Sequence, residues 1–295
     1  MAGFRLKMAT QHGEKIAKDF GFNDFPINPF KIARREKIEV QAKPPEFKGV
    51  SGALIFANDK VTLIYSQQHN NPGFENFSIC HELGHYFLSG HPDEIIKHGG
   101  THLSRANFTE GLSSIELEAD HFASGLLMPY SLVRKHLSRQ QIGLDGIITL
   151  ADEAKCSRTS AAIRAAECSE YPVAIIMSQQ DKVAYAFMTD GFKSLGKLTY
   201  LRKGSPLPAS ATRTFNKNPE NILNMQRTCG ETTLADWFDG QRKIALDEEV
   251  LGLGKYGYTL TVLSSEDLPV DSDDADYDED EELEESWTPR FAYGR

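Results

Sequence analysis

The alternation of apolar and polar residues along the chain predicts a mixed α+β protein. Two β-rich runs, GALIFA at 52–57 and VTLIYS at 61–66, flank the turn-forming residues Asn-Asp-Lys and therefore predict a β-hairpin. Residues 115–128 place apolar side chains at helical spacing and predict a helix that ends before Pro129. Residues 91–112 show neither period, so we expect them to be irregular.

The second half of the chain shows the same mixture of helical and strand patterns. Several helices are predicted after Pro129, and Pro172 marks a boundary. VAIIMSQ and VAYAFMT then predict a second hairpin, and YTLTVLS predicts a terminal strand. We therefore expect a first domain at 1–130, a helical segment at 131–170, a C-terminal α+β domain at 171–265 and an acidic tail at 266–295.

An acidic block near the end of the sequence accounts for the net charge of −10. Residues 266–285 carry thirteen Asp and Glu and no Lys or Arg, and two Arg follow, which leaves +1 on the first 265 residues. Such a block is usually solvated and disordered. The preceding residues show no basic stripe, so we do not expect direct binding of nucleic acid.

Composition and cysteine spacing exclude further classes of protein. No apolar run approaches the ~20 residues that a membrane helix needs, and the first twenty residues have no apolar core of a signal peptide. The four cysteines are scattered without CxxC spacing, which argues against a disulfide framework or a cysteine zinc site. We expect a cytoplasmic protein with no membrane partner, and the pattern indicates no particular oligomeric state.

The stretch FSICHELGHYFLSG, at 77–90, carries the candidate chemistry. His81 and His85 are four residues apart, so on a helix both imidazoles lie on one face and can bind one metal ion. Glu82 lies at the edge of that face, where it could hold a metal-bound water and accept its proton as general base. HExxH alone is a loose pattern, and the alternative is a helix with two buried structural histidines. A catalytic zinc site needs a third protein ligand.

The next predicted helix offers candidates for that ligand. Glu116 and Asp120 are i and i+4, so one carboxylate could bind the metal while the other accepts the free N–H of a ligating histidine. We assign Glu116 as the ligand and Asp120 as the partner of a zinc histidine, with His81 as first candidate. Two alternatives stay open: Ser113 and Glu116 also fit a capping box, and Glu118 could bind the metal instead. We expect surface or loop positions for His91, His98, His102 and His121.

Together the two motifs resemble those of the ImmA/IrrE family of metallo-endopeptidases. HELGHYFLSG is followed about thirty residues later by ELEADHFASGLLMP, and the family carries HExxH followed by an E-x-E-A-N/D-x-F-A-x-x-L-L-M-P helix. The resemblance implies a minimal gluzincin-like metallopeptidase domain of helices and a small antiparallel sheet, with one Zn²⁺ per chain. It implies His81, His85 and Glu116 as zinc ligands and Glu82 as base, and so favours the ligand over the capping role for Glu116.

The resemblance also implies a substrate and further segments. Relatives cut a helix-turn-helix repressor, so the implied partner is a protein substrate of the HTH/XRE type, cleaved by Glu-assisted attack of zinc-bound water. The segment at 131–170 would be HTH-like and the domain at 171–265 GAF-like. We expect the substrate to add as a strand to the edge of the first hairpin, along Ala53, Leu54 and Ile55. The alternative function is a peptidase-like sensor or binding protein of a toxin–antitoxin, phage or defence system, with little proteolysis.

Overall fold

The computed structural model describes residues 2–43, 49–67, 71–105, 114–139, 143–196, 198–239 and 243–265. The acidic tail predicted at 266–295 lies outside these residues. Two compact units make up the described chain, one from residues 2–133 and 151–160 and the other from 134–150 and 161–265. Both contain helices and strands, which confirms the mixed fold class, whereas the domain boundaries given above stay a prediction.

Helices and strands occur in short groups along the described chain. The helices are α1 (Ala2–Asp19), α2 (Pro29–Arg35), α3 (Pro72–Phe87), α4 (His91–Lys97), α5 (Ser114–Leu127), α6 (Tyr130–Leu137), α7 (Leu144–Ala154), α8 (Arg158–Cys168), α9 (Asp190–Lys193), α10 (Ala211–Asn216), α11 (Pro219–Leu223) and α12 (Leu234–Phe238). The strands are β1 (Glu39–Ala42), β2 (Val50–Ala57), β3 (Lys60–Tyr65), β4 (Thr101–Arg105), β5 (Val173–Gln179), β6 (Lys182–Met188), β7 (Arg227–Thr233), β8 (Ala245–Gly252) and β9 (Thr259–Ser264).

The first unit contains a four-stranded sheet in the order β1-β3-β2-β4. β2 and β3 pair antiparallel across the predicted turn, which confirms the hairpin. The expectation of an antiparallel sheet is wrong in one respect, because β1 runs parallel to β3. The chain passes from β1 to β2 and only then returns as β3 between them, so β1 and β3 run in the same direction.

Residues 91–112, expected to be irregular, contain a helix and a strand. α4 begins after Gly90, whose φ of 87° lies in the left-handed region that glycine adopts without strain. β4 pairs antiparallel with β2 and forms one edge of the sheet as described. Both elements are short, which is why neither shows a clear hydrophobic period in the sequence. β4 therefore stands directly beside the strand that faces α3.

α3 and α5 pack closely enough to bring their polar residues together. Asn71 caps α3 by accepting from the backbone N–H groups of Gly73 and Phe74, and Pro72 occupies the first turn. A Cβ on Gly84 would lie 3.1 Å from Ala119 Cα, so the glycine lets the two helices approach closely without crowding. Apolar residues of both helices are fully buried around this crossing, among them Leu83, Ala119, Phe122 and Ala123.

The second unit contains a five-stranded antiparallel sheet in the order β6-β5-β9-β8-β7. The predicted hairpin is β5–β6, and the predicted terminal strand is β9, which pairs with β5. One cluster of its core gathers residues from strands and from α9 and α12, including Ile176, Phe192, Trp237 and Leu263. β7 and β8 escaped prediction because β7 is largely polar and β8 carries three consecutive acidic residues.

Candidate metal centre

The two histidines of α3 point their Nε2 atoms at one another. His81 and His85 are 5% and 0% exposed, and their Nε2 atoms lie 3.1 Å apart. Helical spacing of four residues places both rings on one face, as the motif predicts. Burying two imidazoles with their nitrogens converging is costly unless something binds between them.

Glu116 of α5 completes a three-residue cluster with these histidines. Its Oε2 lies 3.3 Å from His81 Nε2, and its Oε1 lies 3.5 Å from His85 Nε2. Its carboxylate thus faces the imidazoles, while the capping partner proposed for it, Ser113, lies outside the described residues. Glu118, the other alternative, contacts Arg5 and is not among the clustered groups.

The spacing of these groups fits a zinc ion. Tetrahedral zinc with bonds of ~2.0–2.1 Å separates neighbouring ligand atoms by ~3.3 Å. The three separations among His81, His85 and Glu116 are 3.1, 3.3 and 3.5 Å. Two imidazole nitrogens and a carboxylate are also a donor set that zinc enzymes use.

His102 is a fourth member of the cluster, and the expectation that it is a surface or loop histidine is wrong. Its Nε2 lies 3.0 Å from Glu116 Oε1, and its ring centroid lies 4.1 Å from that of His85. The four residues offer ligand atoms within 4.8 Å of one another. Despite the short distance, His102 Nε2 makes no directed hydrogen bond within the described part of the chain. This nitrogen faces the Glu116 carboxylate, at a position where it could also bind a metal ion.

Strand register explains how β4 reaches the centre. Gly52 of β2 pairs with Ser104 and Leu54 pairs with His102, and residues directly opposite in an antiparallel pair share one face of the sheet. His102 and Ser104 therefore project to the same side as Gly52. The alternation of His102 and Ser104 in THLSR is the one signal in the sequence that could have indicated this arrangement.

Glu82 lies beneath the cluster and is fully buried. Ser104 Oγ donates to its Oε1 at 2.5 Å, whereas its Oε2 has no hydrogen-bond partner among the described residues. A Cβ on Gly52 would collide with Oε1, so the glycine of β2 makes room for this carboxylate. Burial raises the pKa of Glu82, although the charges of His81 and His102 lower it in part.

Asp120 binds the outer nitrogen of His81. Its Oδ1 lies 2.8 Å from His81 Nδ1, and because Nε2 faces the cluster, Nδ1–H is the donor. Burial lowers the pKa of His81, but hydrogen bonds to Asp120 and Glu116 outweigh it and hold that pKa well above its usual value. At His85, burial and the charge of His81 outweigh the opposing charge of Glu116 and hold the pKa well below its usual value.

A comparison with protein families identifies a domain that contains the cluster. Residues 33–166 match the model of the M78 peptidase family, described as an IrrE N-terminal-like domain. The chain carries an ImmA/IrrE-type M78 peptidase domain. The matched range includes α3, β4 and α5, and so every residue of the cluster, which confirms the family predicted from the two motifs. The family of this domain suggests a metallopeptidase.

A search of solved structures adds a likeness in fold over most of the chain. A solved structure from Mycobacterium tuberculosis, described as a transcriptional regulator, matches with a TM-score of 0.54 and 14% sequence identity over 87% of this chain and 76% of its own. At that identity the likeness shows the fold alone. A search of curated proteins finds no match. Within the described ranges of this chain, no helix is long and apolar enough to cross a membrane.

The prediction that a substrate pairs as a strand along Ala53, Leu54 and Ile55 is wrong. These residues belong to β2, which lies inside the sheet with β3 on one side and β4 on the other. Their backbone groups are engaged by neighbouring strands and cannot pair with a peptide. The prediction places the open edge on β2 because the residues of β4 show no strand pattern in the sequence.

Proposed function

We propose that this protein is a zinc-dependent endopeptidase. The observation that carries the proposal is the Glu82 carboxylate, fully buried beside the clustered imidazoles with its Oε2 unpaired in the described chain. An unpaired buried carboxylate oxygen destabilises the fold, so such a group is expected where a reaction uses it. Burial raises the pKa of Glu82, which makes it a stronger base than an ordinary glutamate.

Three residues of the cluster and Glu82 then have separate roles. His81 and His85 would bind zinc through Nε2, and Glu116 would bind it through its carboxylate. When bound there, zinc would polarise the scissile carbonyl and lower the pKa of a coordinated water. Glu82 would accept a proton at Oε2 while Ser104 holds Oε1, and return that proton to the departing amine.

The substrate would lie along β4 rather than β2. In the described chain β4 pairs with β2 on one side only, so its other edge can accept an extended peptide. His102 and Ser104 project towards the cluster, while Leu103 alternates to the other face and is 48% exposed. A peptide paired with this edge would pass directly beside Glu116.

We further propose an HTH/XRE-type repressor as the substrate, in a reducing cytoplasm where the four free cysteines stay reduced. The description of the solved neighbour as a transcriptional regulator supports a role in the same kind of process. α7 and α8, joined by three residues, suit the HTH-like segment, but Thr159–Ala166 are all buried, so α8 has no exposed face for DNA. A GAF-like C-terminal domain stays a proposal as well.

His102 supports a second candidate function. Zinc held by His81, His85, Glu116 and His102 together would have four protein ligands, and closed sites of this kind are structural rather than catalytic. The protein would then be a metal-dependent sensor or binding protein with little proteolysis. X-ray absorption separates the two, since three imidazole nitrogens on zinc support the sensor and two support the peptidase.

Labelling of new N-termini tests the proposed peptidase activity against all the proteins of a cell extract at once. An extract of the cells that make the protein is incubated with the zinc-loaded wild type or with Glu82→Gln, and new N-termini are labelled and identified by mass spectrometry. We expect a small set of cleavages that appear with the wild type alone, in a helix-turn-helix protein. Equal sets from both proteins would refute the peptidase, and cleavage of unrelated proteins would refute the substrate class.

A further inference from the structure

The outer nitrogen of His85 meets a second histidine rather than a carboxylate. His91, the first residue of α4, is 1% exposed, and its Nδ1 lies 3.1 Å from His85 Nδ1. The expectation of a surface position for His91 is therefore wrong. Imidazoles that bind metal generally donate their other N–H to a group that fixes the ring. His91 can fix the ring of His85 only if it accepts this hydrogen bond.

The positions of the four ring nitrogens fix that direction. His85 Nε2 faces His81 and Glu116, so the hydrogen of neutral His85 resides on Nδ1 and is donated to His91 Nδ1. His91 Nδ1 must then be an acceptor, which places its hydrogen on Nε2. That nitrogen lies 3.4 Å from Glu118 Oε2, a carboxylate oxygen that can only accept. His85, His91 and Glu118 thus form a row in which both imidazole donors point away from the cluster.

An arginine of α1 holds the far end of this row. Arg5 Nη2 donates to Glu118 Oε2 at 3.2 Å, and Arg5 Nε lies 3.0 Å from Glu118 Oε1. The Glu118 side chain is 8% exposed, whereas that of Arg5 is 59% exposed. The row therefore begins at a buried imidazole and ends at the protein surface.

We propose that His91, Glu118 and Arg5 form a relay that positions His85 as a metal ligand. This inference rests on the proposed zinc site. His91 is a positioning residue that accepts from His85, and Glu118 fixes the tautomer of His91 by accepting from its Nε2. The two zinc histidines are thus oriented differently, His81 by Asp120 directly and His85 through an intervening imidazole. The relay also connects α1 and α4 to the metal centre, so metal affinity responds to a charge at the surface.

Zinc affinity in purified variants tests the relay, measured by competition with a chromophoric chelator. His91→Ala leaves the His85 N–H without its acceptor, and loss of such a partner typically weakens metal binding about 10–100-fold. His91→Asn keeps an acceptor near the position of Nδ1 and should recover most of that loss. Glu118→Gln should weaken binding less than His91→Ala, and Arg5→Met least, because Arg5 is largely solvated. Lys15→Met, which removes an exposed ion pair on the same helix, is the matched control and should change nothing.

Two further readouts separate positioning from a general loss of structure. The visible absorption of bound Co²⁺ should shift in His91→Ala and return in His91→Asn, and thermal unfolding of the metal-free proteins shows whether each variant folds. Unchanged zinc affinity and Co²⁺ absorption in a folded His91→Ala would overturn the relay alone. Complete loss of zinc in Glu118→Gln would make Glu118 a ligand and overturn it too. A wild type that binds no zinc would refute the proposed function and the relay together.

Discussion

Gly52→Ala should destabilise the first unit through a single contact with Glu82. The added Cβ would lie 3.1 Å from both Cγ and Cδ of Glu82 and closer still to Oε1. Glu82 is fully buried and held by Ser104, so it cannot move into solvent. Overpacking of this kind costs about 1–3 kcal/mol of unfolding free energy. The φ of Gly52 is not positive, so backbone strain adds nothing to this figure.

A double-mutant cycle isolates that contact. Urea unfolding of the metal-free protein is followed by hydrogen exchange mass spectrometry, so that peptides from β2 and α3 report on their own unit. Glu82→Ala removes the atoms that the new methyl group would meet, so Gly52→Ala should cost much less in that background. Gly196→Ala is the matched control, because its Cβ would meet only the Leu234 side chain at 3.8 Å. Equal destabilisation by Gly52→Ala in both backgrounds would refute the reasoning.

Two other changes have outcomes that the structure specifies. Asp120→Asn should weaken zinc binding about 10–100-fold, since it replaces the acceptor of the His81 N–H by an uncharged amide. Chelator competition measures the zinc affinity, and wild-type affinity in this variant would contradict the role of Asp120. A thiol reagent at pH 8 should modify exposed Cys229 quickly and leave Cys156 intact, because burial raises the pKa of Cys156 to about 12 and only the thiolate reacts. Peptide mapping that finds Cys156 modified as fast as Cys229 would contradict that environment.

The sequence predicts those elements of the fold that a local pattern of residues determines. The β2–β3 hairpin consists of two β-rich runs around a turn, and α3 and α5 carry apolar residues at helical spacing, although both helices are buried on most sides. β7 is polar and lies at the edge of its sheet, so burial imposes no alternation on it. β8 buries Glu248, which accepts from the backbone and hydroxyl of Thr212, and a buried acid of this kind reads as solvent-facing in a sequence.

The residues of the candidate site likewise divide into those that the sequence predicts and those that it does not. His81, Glu82 and His85 belong to one helix, so their geometry follows from helical spacing alone. The orientation of Glu116 depends on how closely α3 and α5 approach, and the sequence leaves capping as an open alternative.

His91, His102 and Ser104 reach the centre only through the docking of α4 and the register of β4. Neither is encoded by a local period, so the sequence alone does not place these residues at the centre.

The most direct test of the zinc site is metal content by mass spectrometry on the purified chain. We expect about one zinc per wild-type chain and none in His81→Ala or in Glu116→Ala, because both residues supply ligand atoms to the same ion. The folded state of each variant is checked by circular dichroism. A wild type without zinc after refolding in its presence, or a folded Glu116→Ala with its full complement of zinc, would contradict the account.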